Sequence, residues 1–259
     1  MKVVNLIPVC FGLILCAIGA TAHSEPETFA SGTKQNRLVE LYTSEGCSSC
    51  PPADRWLSSL KDNDFLWRDV IPVAFHVDYW DRLGWSDRFA SSKFSARQRQ
   101  YAREHSEAVV YTPGMRLGGK EWRSWRNSSS DLIAGTDPEV GNLVVSISED
   151  GQLTASFDLV EGDSKNTYTL NVAILGMGAS TQVQRGENRG RELKHDFVVL
   201  AHSDFIASDE TPTQWQESLP IPTESAPKYA LAAWVSRQGS LDPVQATGGY
   251  LASSPDGWQ

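Results

Sequence analysis

Two cysteines three positions apart, Cys47 and Cys50, are the residues whose spacing most directly suggests chemistry. A pair at this spacing can close a local disulfide and exchange it with the thiols of another protein. Pro51 and Pro52 follow, and proline fits the first turn of a helix because its missing N–H has no partner there. The pair is therefore predicted at a helix start, where backbone N–H groups and the helix dipole stabilise the attacking thiolate. Cys47 is expected to be the exposed sulfur and Cys50 the partner behind it.

The first 22 residues have the pattern of a secretory signal: Lys2, an apolar run from Ile7 to Ala20, and small residues at the cleavage site near Ala22. We expect residues 1–22 to be removed and the mature protein to be periplasmic or secreted, with no membrane span left. Cleavage removes Cys10 and Cys16 from the 4 cysteines. The remaining pair closes so short a loop that a purely structural disulfide would add little stability.

Composition narrows the classes of function. A chain of 259 residues favours two modest domains. The formal net charge is −9 and no long basic cluster occurs, so nucleic acid is not an expected partner. The five histidines have no paired spacing, so no zinc site is predicted, and no fingerprint for a nucleotide or another cofactor is found. No feature of the sequence sets an oligomeric state.

The order of predicted elements changes along the chain, and this change sets the predicted domains. Residues 23–36 are predicted to be a flexible lead-in, 37–136 an α/β domain, and 137–259 an all-β, sandwich-like domain. The elements predicted for the α/β domain are a strand at Arg37–Ser44, a helix at Cys47–Asp62, a strand at Val70–Val77, a helix at Phe94–His105, a hairpin at Met115–Trp122 and a short helix at Trp125–Ile133. The strands predicted beyond them are Leu143–Ser148, Gln152–Leu159, Tyr168–Leu175, Thr181–Arg185, Glu192–His202, Gln214–Leu219 and Tyr229–Val235.

The order of strand, Cys-x-x-Cys helix, strand, helix and Thr112-Pro113 before a hairpin resembles the thioredoxin fold. The stretches Ser44–Asp54, Phe75–Trp80 and Arg185–Gly190 are similar to an uncharacterised family of bacterial secreted thioredoxin-like proteins. The resemblance implies a thioredoxin-like α/β domain followed by the β-sandwich.

The same resemblance implies roles for three further residues. Glu40 lies on the strand that carries a buried acid in thioredoxins, and this acid would relay a proton to Cys50. Thr112 and Pro113 would hold the substrate backbone beside the disulfide, with a cis peptide bond between them.

Three functions fit these observations. The favoured one is a thiol–disulfide oxidoreductase in which Cys47 and Cys50 act on protein thiols and disulfides. A non-enzymatic binding module is the first alternative, with the aromatic loop Asp78–Phe89 or the β domain as its surface. The second is copper delivery by two thiolates and His76, although a histidine in a buried strand is more often a packed core residue.

Overall fold

The computed structural model describes residues 25–127, 129–132, 138–160, 166–255 and 258. The predicted signal peptide and the predicted domain boundary at 136/137 lie outside these residues. The described part is mostly β-sheet. Its strands are β1 Glu27–Ala30, β2 Arg37–Thr43, β3 Val70–His76, β4 Gly114–Leu117, β5 Lys120–Glu121, β6 Gly141–Ile147, β7 Gln152–Leu159, β8 Tyr168–Met177, β9 Ala179–Gln182, β10 Glu192–His195, β11 Val198–Ile206, β12 Gln214–Ser218, β13 Lys228–Arg237 and β14 Pro243–Tyr250. Its helices are α1 Pro51–Ser58, α2 Ser92–Glu104, and 3-10 turns at Ser59–Asp62, Asp78–Leu83 and Ser129–Leu132.

Eight strands form one mixed sheet in the order β14-β13-β8-β11-β3-β2-β4-β5. Strands β2 and β3 are parallel, and β11 joins the other edge of β3, also in parallel, with Val198 opposite Ala74. Strands from both sides of the predicted boundary therefore share a single hydrogen-bonded sheet. The prediction of an α/β thioredoxin-like domain followed by a separate β-sandwich is wrong.

The burial of β3 gives the physical reason for this correction. All seven of its residues are buried, so both of its edges need a strand neighbour. Strand β2 supplies one neighbour from nearby in the chain. The other is β11, more than 120 residues further along, and the amide of Ala74 donates to the carbonyl oxygen of Phe197 at 2.8 Å.

A second sheet, in the order β1-β6-β7-β12, packs on the eight-stranded sheet. Alternate side chains of β6 and β7, such as Leu143 and Phe157, meet Leu170 of β8 and Leu231 of β13 in one apolar core. Strand β1 lies inside the segment predicted to be a flexible lead-in. Its sequence Glu-Thr-Phe-Ala carries a single large apolar residue, so it has little strand signal of its own.

Two local features are set by neighbouring residues, at the start of the predicted helix Phe94–His105 and in the predicted hairpin Met115–Trp122. The Ser91 side chain caps α2 by accepting a hydrogen bond from the amide of Lys93. Gly118 and Gly119 adopt positive φ angles in the turn between β4 and β5. The predicted strand Glu192–His202 is instead two strands, because Phe197 has a φ of 61° and breaks the extended chain. No described helix is long and apolar enough to cross a membrane.

Candidate functional site

Cys47 and Cys50 form a disulfide at the start of α1, with their Cα atoms 5.5 Å apart. Cys50 occupies the N-cap position, and Pro51 and Pro52 fill the first turn as predicted. The expected exposure of Cys47 is wrong, because both cysteines are 0% exposed. Solvent reaches the intervening Ser48 and Ser49 but not the disulfide.

The cover over Cys47 is the loop between β9 and β10, residues 183–191, called the covering loop below. Asn188 is fully buried, and its Nδ2 donates to the carbonyl oxygens of Glu45 and Cys47 at 2.9 Å each. Glu187 Oε2 accepts from the hydroxyl of Ser48 at 2.6 Å and from its amide at 3.1 Å. These polar contacts, which join side chains of the loop to the cysteine turn, close the site.

A buried ion pair lies on the other side of the cysteine turn. His76 Nδ1 and Asp87 Oδ2 are 2.7 Å apart, and neither side chain is exposed. The same Asp87 oxygen accepts from the amide of Glu45 at 2.8 Å, and Oδ1 accepts from the amide of Phe89 at 3.0 Å. Asp87 therefore ties the end of β3 to the residues just before Cys47.

The ion pair shifts the pKa of both partners. Burial by itself lowers the pKa of His76, but the charge and hydrogen bond of Asp87 outweigh it, so the pKa of His76 is raised. Burial by itself raises the pKa of Asp87, but His76 and the two backbone N–H donors lower it overall. Both partners are therefore charged at mildly acidic pH, between the ordinary pKa values of an aspartate and a histidine.

The Asp87→Asn variant is expected to lose about 1–3 kcal/mol of stability, because a charged hydrogen bond becomes a neutral one. Because the pKa of His76 is raised, its charged form stabilises the folded state at pH values below about 6.5, the pKa of an unfolded histidine, and this contribution is lost as the pH rises through the folded pKa. Because the pKa of Asp87 is lowered, its charged form stabilises the folded state above about pH 4, and this contribution is lost as the pH falls through the folded pKa.

Urea unfolding of wild type and Asp87→Asn between pH 4 and 9 tests this expectation. The difference in free energy of unfolding should be largest between about pH 4 and 6.5 and should shrink at higher pH. Asp242→Asn, which changes the more exposed pair with His105, is the control. A difference that stays constant across this range would contradict the charged pair.

Asp54 is the acid that lies nearest to Cys50 along α1. Its amide donates to the carbonyl oxygen of Cys50 at 3.1 Å, so the two residues are one helical turn apart on the same face. Asp54 is 7% exposed, and burial raises its pKa, although His195 and His76 nearby act in the opposite direction. A cleft of about 200 Å³ beside α1 is lined by Asp54 and His195 and links them to the surface.

Two buried ring nitrogens near Asp54, His76 Nε2 and His195 Nδ1, have no hydrogen-bond partner within the described part of the chain. The other polar atoms of this pocket contact one another, since His195 Nε2 lies 3.3 Å from Glu45 Oε1 and the Thr43 hydroxyl interacts with Asp54. Asp54 therefore lies in a pocket of buried polar groups beside α1.

The structure does not bring Glu40 to the cysteines. Side chains alternate between the two faces of a strand, so Glu40 and Thr43, three positions apart on β2, lie on opposite faces. Glu40 faces α2, whereas Thr43 faces α1 and interacts with Asp54. The oxygens of Glu40 accept from Arg97 Nη2 at 2.9 Å and from the Tyr101 hydroxyl at 2.7 Å. The implied role of Glu40 as a proton relay to Cys50 therefore conflicts with its position, since its carboxylate is occupied on the other side of the sheet.

Thr112 and Pro113 lie closer to the cysteine turn. Their peptide bond is cis. The Thr112 hydroxyl accepts from the indole N–H of Trp80 at 2.7 Å. Trp80 also covers Gly46, where an added Cβ would come within 3.0 Å of the Trp80 Cβ. Trp80 thus packs between the cis bond and the residue before Cys47.

The copper alternative has little geometric support. Both sulfurs are bonded to each other, and Nδ1 of His76 is occupied by Asp87. Across the described ranges, no group of three or more His, Cys, Asp or Glu side chains has a geometry that could hold a metal ion.

Comparisons with known proteins identify the family. A family model described as "protein of unknown function (DUF1223)" matches residues 38–236. The chain belongs to this family. The predicted membership of an uncharacterised family is confirmed to that extent.

Solved structures similar to this DUF1223 chain include a crystal structure of a protein from Agrobacterium tumefaciens. It has 25% sequence identity and a TM-score of 0.60, and the match covers 83% of this chain and 93% of that one. HBP35 of Porphyromonas gingivalis has 13% identity and a TM-score of 0.56, covering 86% of this chain and 77% of its own, which shows the fold alone. A search of curated proteins finds no significant match.

Sequence reasoning missed the residues that surround the disulfide. Asp54 follows Cys50 at helical spacing, which was a usable signal. Asn188 lies in Arg185–Gly190, a stretch picked out by the resemblance but without an assigned role. Nothing local in the sequence connects His195 or Asp87 with the cysteines, since only the fold brings them near. The DUF1223 match spans all of these residues.

Proposed function

We propose that this protein exchanges thiols and disulfides with other exported proteins through Cys47 and Cys50 once the covering loop is displaced. The observation that carries the proposal is a disulfide at a helix N-terminus, a position that stabilises a leaving thiolate. An exported location, proposed from the signal pattern, would supply the oxidising surroundings in which such a disulfide persists.

The nature of the cover supports its displacement. The covering loop is the tip of a two-stranded sheet, β9 and β10, that is separate from the two larger sheets. The loop is not hydrogen-bonded into either of the larger sheets, so its displacement does not require their strands to separate. Its hold on the cysteine turn consists of the Asn188 and Glu187 hydrogen bonds, which a substrate backbone or side chain can replace.

In the proposed reaction the substrate is a protein dithiol. One substrate thiolate attacks Cys47 Sγ, the bond between Cys47 and Cys50 breaks, and Cys50 leaves as a thiolate. The second substrate thiolate then attacks the substrate sulfur of the mixed disulfide, and Cys47 leaves. The substrate loses two electrons and becomes a disulfide, and the cysteine pair gains them and becomes two thiols.

Two side chains support these steps. Asp54, one turn after Cys50, has a raised pKa because of burial, so it can donate a proton to the leaving Cys50 thiolate. The Ser49 hydroxyl lies 3.2 Å from Cys47 Sγ and can donate a hydrogen bond to that sulfur when it carries charge. Asp54 thus takes the role that the resemblance gave to Glu40.

The aromatic loop gives little support to the alternative of a binding module. The indole N–H groups of Trp80 and Trp85 point inward, to Thr112 and to Glu45 Oε2, and Phe89 is buried. This loop packs over the site and does not present an aromatic surface.

The experiment that tests the proposal measures transfer between the protein and a synthetic peptide carrying two cysteines. The oxidised wild type is expected to convert the peptide dithiol to a disulfide, and both Cys47→Ser and Cys50→Ser should lose turnover. Ser218→Ala, an exposed serine of β12 outside the site, is the control. Equal turnover in wild type and Cys47→Ser would end the proposal.

The Asp54→Asn variant is expected to slow this transfer about 10-fold to 100-fold, since a proton donor is removed from the leaving sulfur. The pH dependence should change as well, because wild type has a titrating acid at this position and the variant does not. Asp62→Asn, on the same helical segment but exposed, is the control. An unchanged pH profile would remove Asp54 from the mechanism.

A further inference from the structure

Two neighbouring residues of the covering loop, Glu187 and Asn188, hold different groups of the cysteine turn. The Glu187 carboxylate accepts from the Ser48 hydroxyl at 2.6 Å and from the Ser48 amide at 3.1 Å. The Asn188 side-chain amide donates to the carbonyl oxygens of Glu45 and Cys47. The turn thus offers two donors to a carboxylate and two acceptors to an amide, beside the sulfur that the proposed reaction attacks.

The two contacts differ in depth. Glu187 and Ser48 are both exposed, whereas Asn188 is fully buried. A group arriving from solvent can therefore reach the hydroxyl and amide of Ser48, called the Ser48 site below, before it can reach the groups bound by Asn188. The Glu187 contact is the part of the cover that another molecule can replace first.

The covering loop keeps its shape through hydrogen bonds of its own. The amide of Gly190 donates to the carbonyl oxygen of Val183 at 2.8 Å, and the amide of Val183 donates to that of Arg191 at 3.0 Å. Arg191 Nη1 donates to Asn188 Oδ1 at 2.9 Å. The Glu187 side chain takes no part in these three bonds, so its carboxylate can leave the Ser48 site while the loop stays folded.

The Ser48 site favours a charged carboxylate. The hydrogen bonds from the Ser48 hydroxyl and amide lower the pKa of Glu187, so they stabilise its ionised form. Hydrogen bonds to an ionised acceptor are roughly twice as strong as those to a neutral one. A side-chain amide in the same place would bind less tightly because it carries no charge.

The charge of the covering loop acts in the same direction. Glu187 is the single acid among residues 183–191. The loop also carries three exposed arginines, Arg185, Arg189 and Arg191. Glu192, the acid that follows on β10, lies 3.2 Å from the Ser180 hydroxyl. These three arginines and two acids leave the loop and its flank with a positive balance, which attracts an acidic segment over distances of about 10 Å.

We infer that the substrates of the exchange reaction carry a glutamate or aspartate close in sequence to the attacking cysteine, and that this carboxylate binds the Ser48 site in place of Glu187. The inference rests on the proposed function. Glu187 acts as an internal competitor that keeps the site filled. The substrate acid displaces it at the surface, and the loop with Asn188 then moves away from the disulfide. A thiol without a neighbouring acid meets the closed cover.

Binding at the Ser48 site can be measured without any exchange. The probe is a blocked Glu-Asn dipeptide, and the readout is the Ser48 amide signal of the oxidised protein in a nitrogen-15 NMR spectrum. In Glu187→Ala, the Glu-Asn peptide should shift this signal to saturation, and a Gln-Asn peptide should bind about tenfold more weakly.

The wild type should need about tenfold more Glu-Asn peptide than Glu187→Ala, since a tethered carboxylate competes at an effective concentration of about millimolar. Gln184→Ala, which changes an exposed side chain of the same loop and keeps Glu187, is the control. It should need as much peptide as the wild type.

The effect on exchange is measured with two dithiol peptides that differ only in a Glu or Gln beside the attacking cysteine. The rate of each peptide with oxidised glutathione corrects for the effect of the charge on the thiol itself. After this correction the wild type should oxidise the Glu peptide about fivefold to tenfold faster than the Gln peptide. Ser48→Ala should reduce the ratio, because it lacks the hydroxyl donor, and Ser218→Ala should keep it.

The outcomes separate this inference from the proposed function. The inference is overturned if the Ser48 signal of Glu187→Ala ignores the Glu-Asn peptide or responds equally to Gln-Asn. It is also overturned if both dithiol peptides are oxidised at equal corrected rates, although exchange itself would then stand. If the Glu-Asn peptide binds and neither dithiol peptide is oxidised, the exchange function fails together with the substrate assignment, and only the carboxylate site is left.

Discussion

The Asn188→Ala variant is expected to speed reduction of the Cys47–Cys50 disulfide by dithiothreitol by roughly 10-fold to 100-fold. In wild type the Asn188 amide joins the covering loop to the carbonyl oxygens of Glu45 and Cys47 at 2.9 Å each. Loss of two buried hydrogen bonds costs about 1–3 kcal/mol, and each 1.4 kcal/mol is about a tenfold change in the fraction of molecules with the loop open. Alkylation of samples taken over time, followed by mass spectrometry of the protein, measures the rate.

The matched control is Arg189→Ala, which changes an exposed side chain of the same loop. Its reduction rate should equal that of wild type. Far-ultraviolet circular dichroism and the urea midpoint show whether Asn188→Ala remains folded, since faster reduction through global unfolding would lower both. If a folded Asn188→Ala protein is reduced at the wild-type rate, the covering loop does not control access.

The way in which the cover is held bears on substrate choice. Asn188 satisfies two backbone carbonyl oxygens next to Cys47, and these lose their partner when the loop leaves. A substrate that donates hydrogen bonds to the same carbonyl oxygens restores them, whereas a small thiol cannot. If the proposed exchange reaction takes place, protein or peptide substrates should react faster than small thiols, and the ratio of the two rates should fall in Asn188→Ala.

The sequence predicts well those features that depend on neighbouring residues. The start of α1 follows from Pro51 and Pro52, the start of α2 from its Ser91 cap, and the β4–β5 turn from Gly118 and Gly119. Each of these is decided by a steric or hydrogen-bonding preference within a few residues.

Pairings between distant strands cannot be predicted in this way. Several buried apolar strands could complete the open edge of β3, and nothing in the sequence of β11 singles it out. The same limit explains the error at Cys47. Its local sequence favours an exposed sulfur, but the residue that covers it, Asn188, is 141 positions away and arrives only when β9 and β10 fold against α1.

The role predicted for Glu40 depended on which face of the sheet its side chain occupies. On a strand that is buried on both faces, the sequence does not show this, and the residue that binds the Glu40 carboxylate decides it. That partner is Arg97, 57 positions further along, whose guanidinium is buried against the Glu40 carboxylate. A buried carboxylate with a buried arginine is better explained as part of the core than as a proton relay.

The Glu40→Gln variant is accordingly expected to lose about 3–5 kcal/mol of stability without slowing disulfide exchange. Burial by itself lowers the pKa of Arg97, but Glu40 raises it overall, so Arg97 remains charged. Removal of the carboxylate leaves that charge in the core with no counter-ion. The single amide oxygen of glutamine cannot replace both carboxylate oxygens, which accept from Arg97 Nη2 at 2.9 Å and from the Tyr101 hydroxyl at 2.7 Å. Urea unfolding at pH 7 measures the loss.

Two comparisons make this expectation specific. Asp69→Asn removes a partner of the exposed Arg68 and should leave stability unchanged. Glu40→Leu/Arg97→Met removes both charges and should recover much of the loss, because well-packed apolar groups can replace a buried ion pair. Exchange with the peptide dithiol should proceed at the wild-type rate in Glu40→Gln as long as the protein is folded. Slower exchange in a folded Glu40→Gln protein would contradict this expectation. It would support Glu40 as the residue that affects the protonation of Cys50, with its charge acting through the sheet.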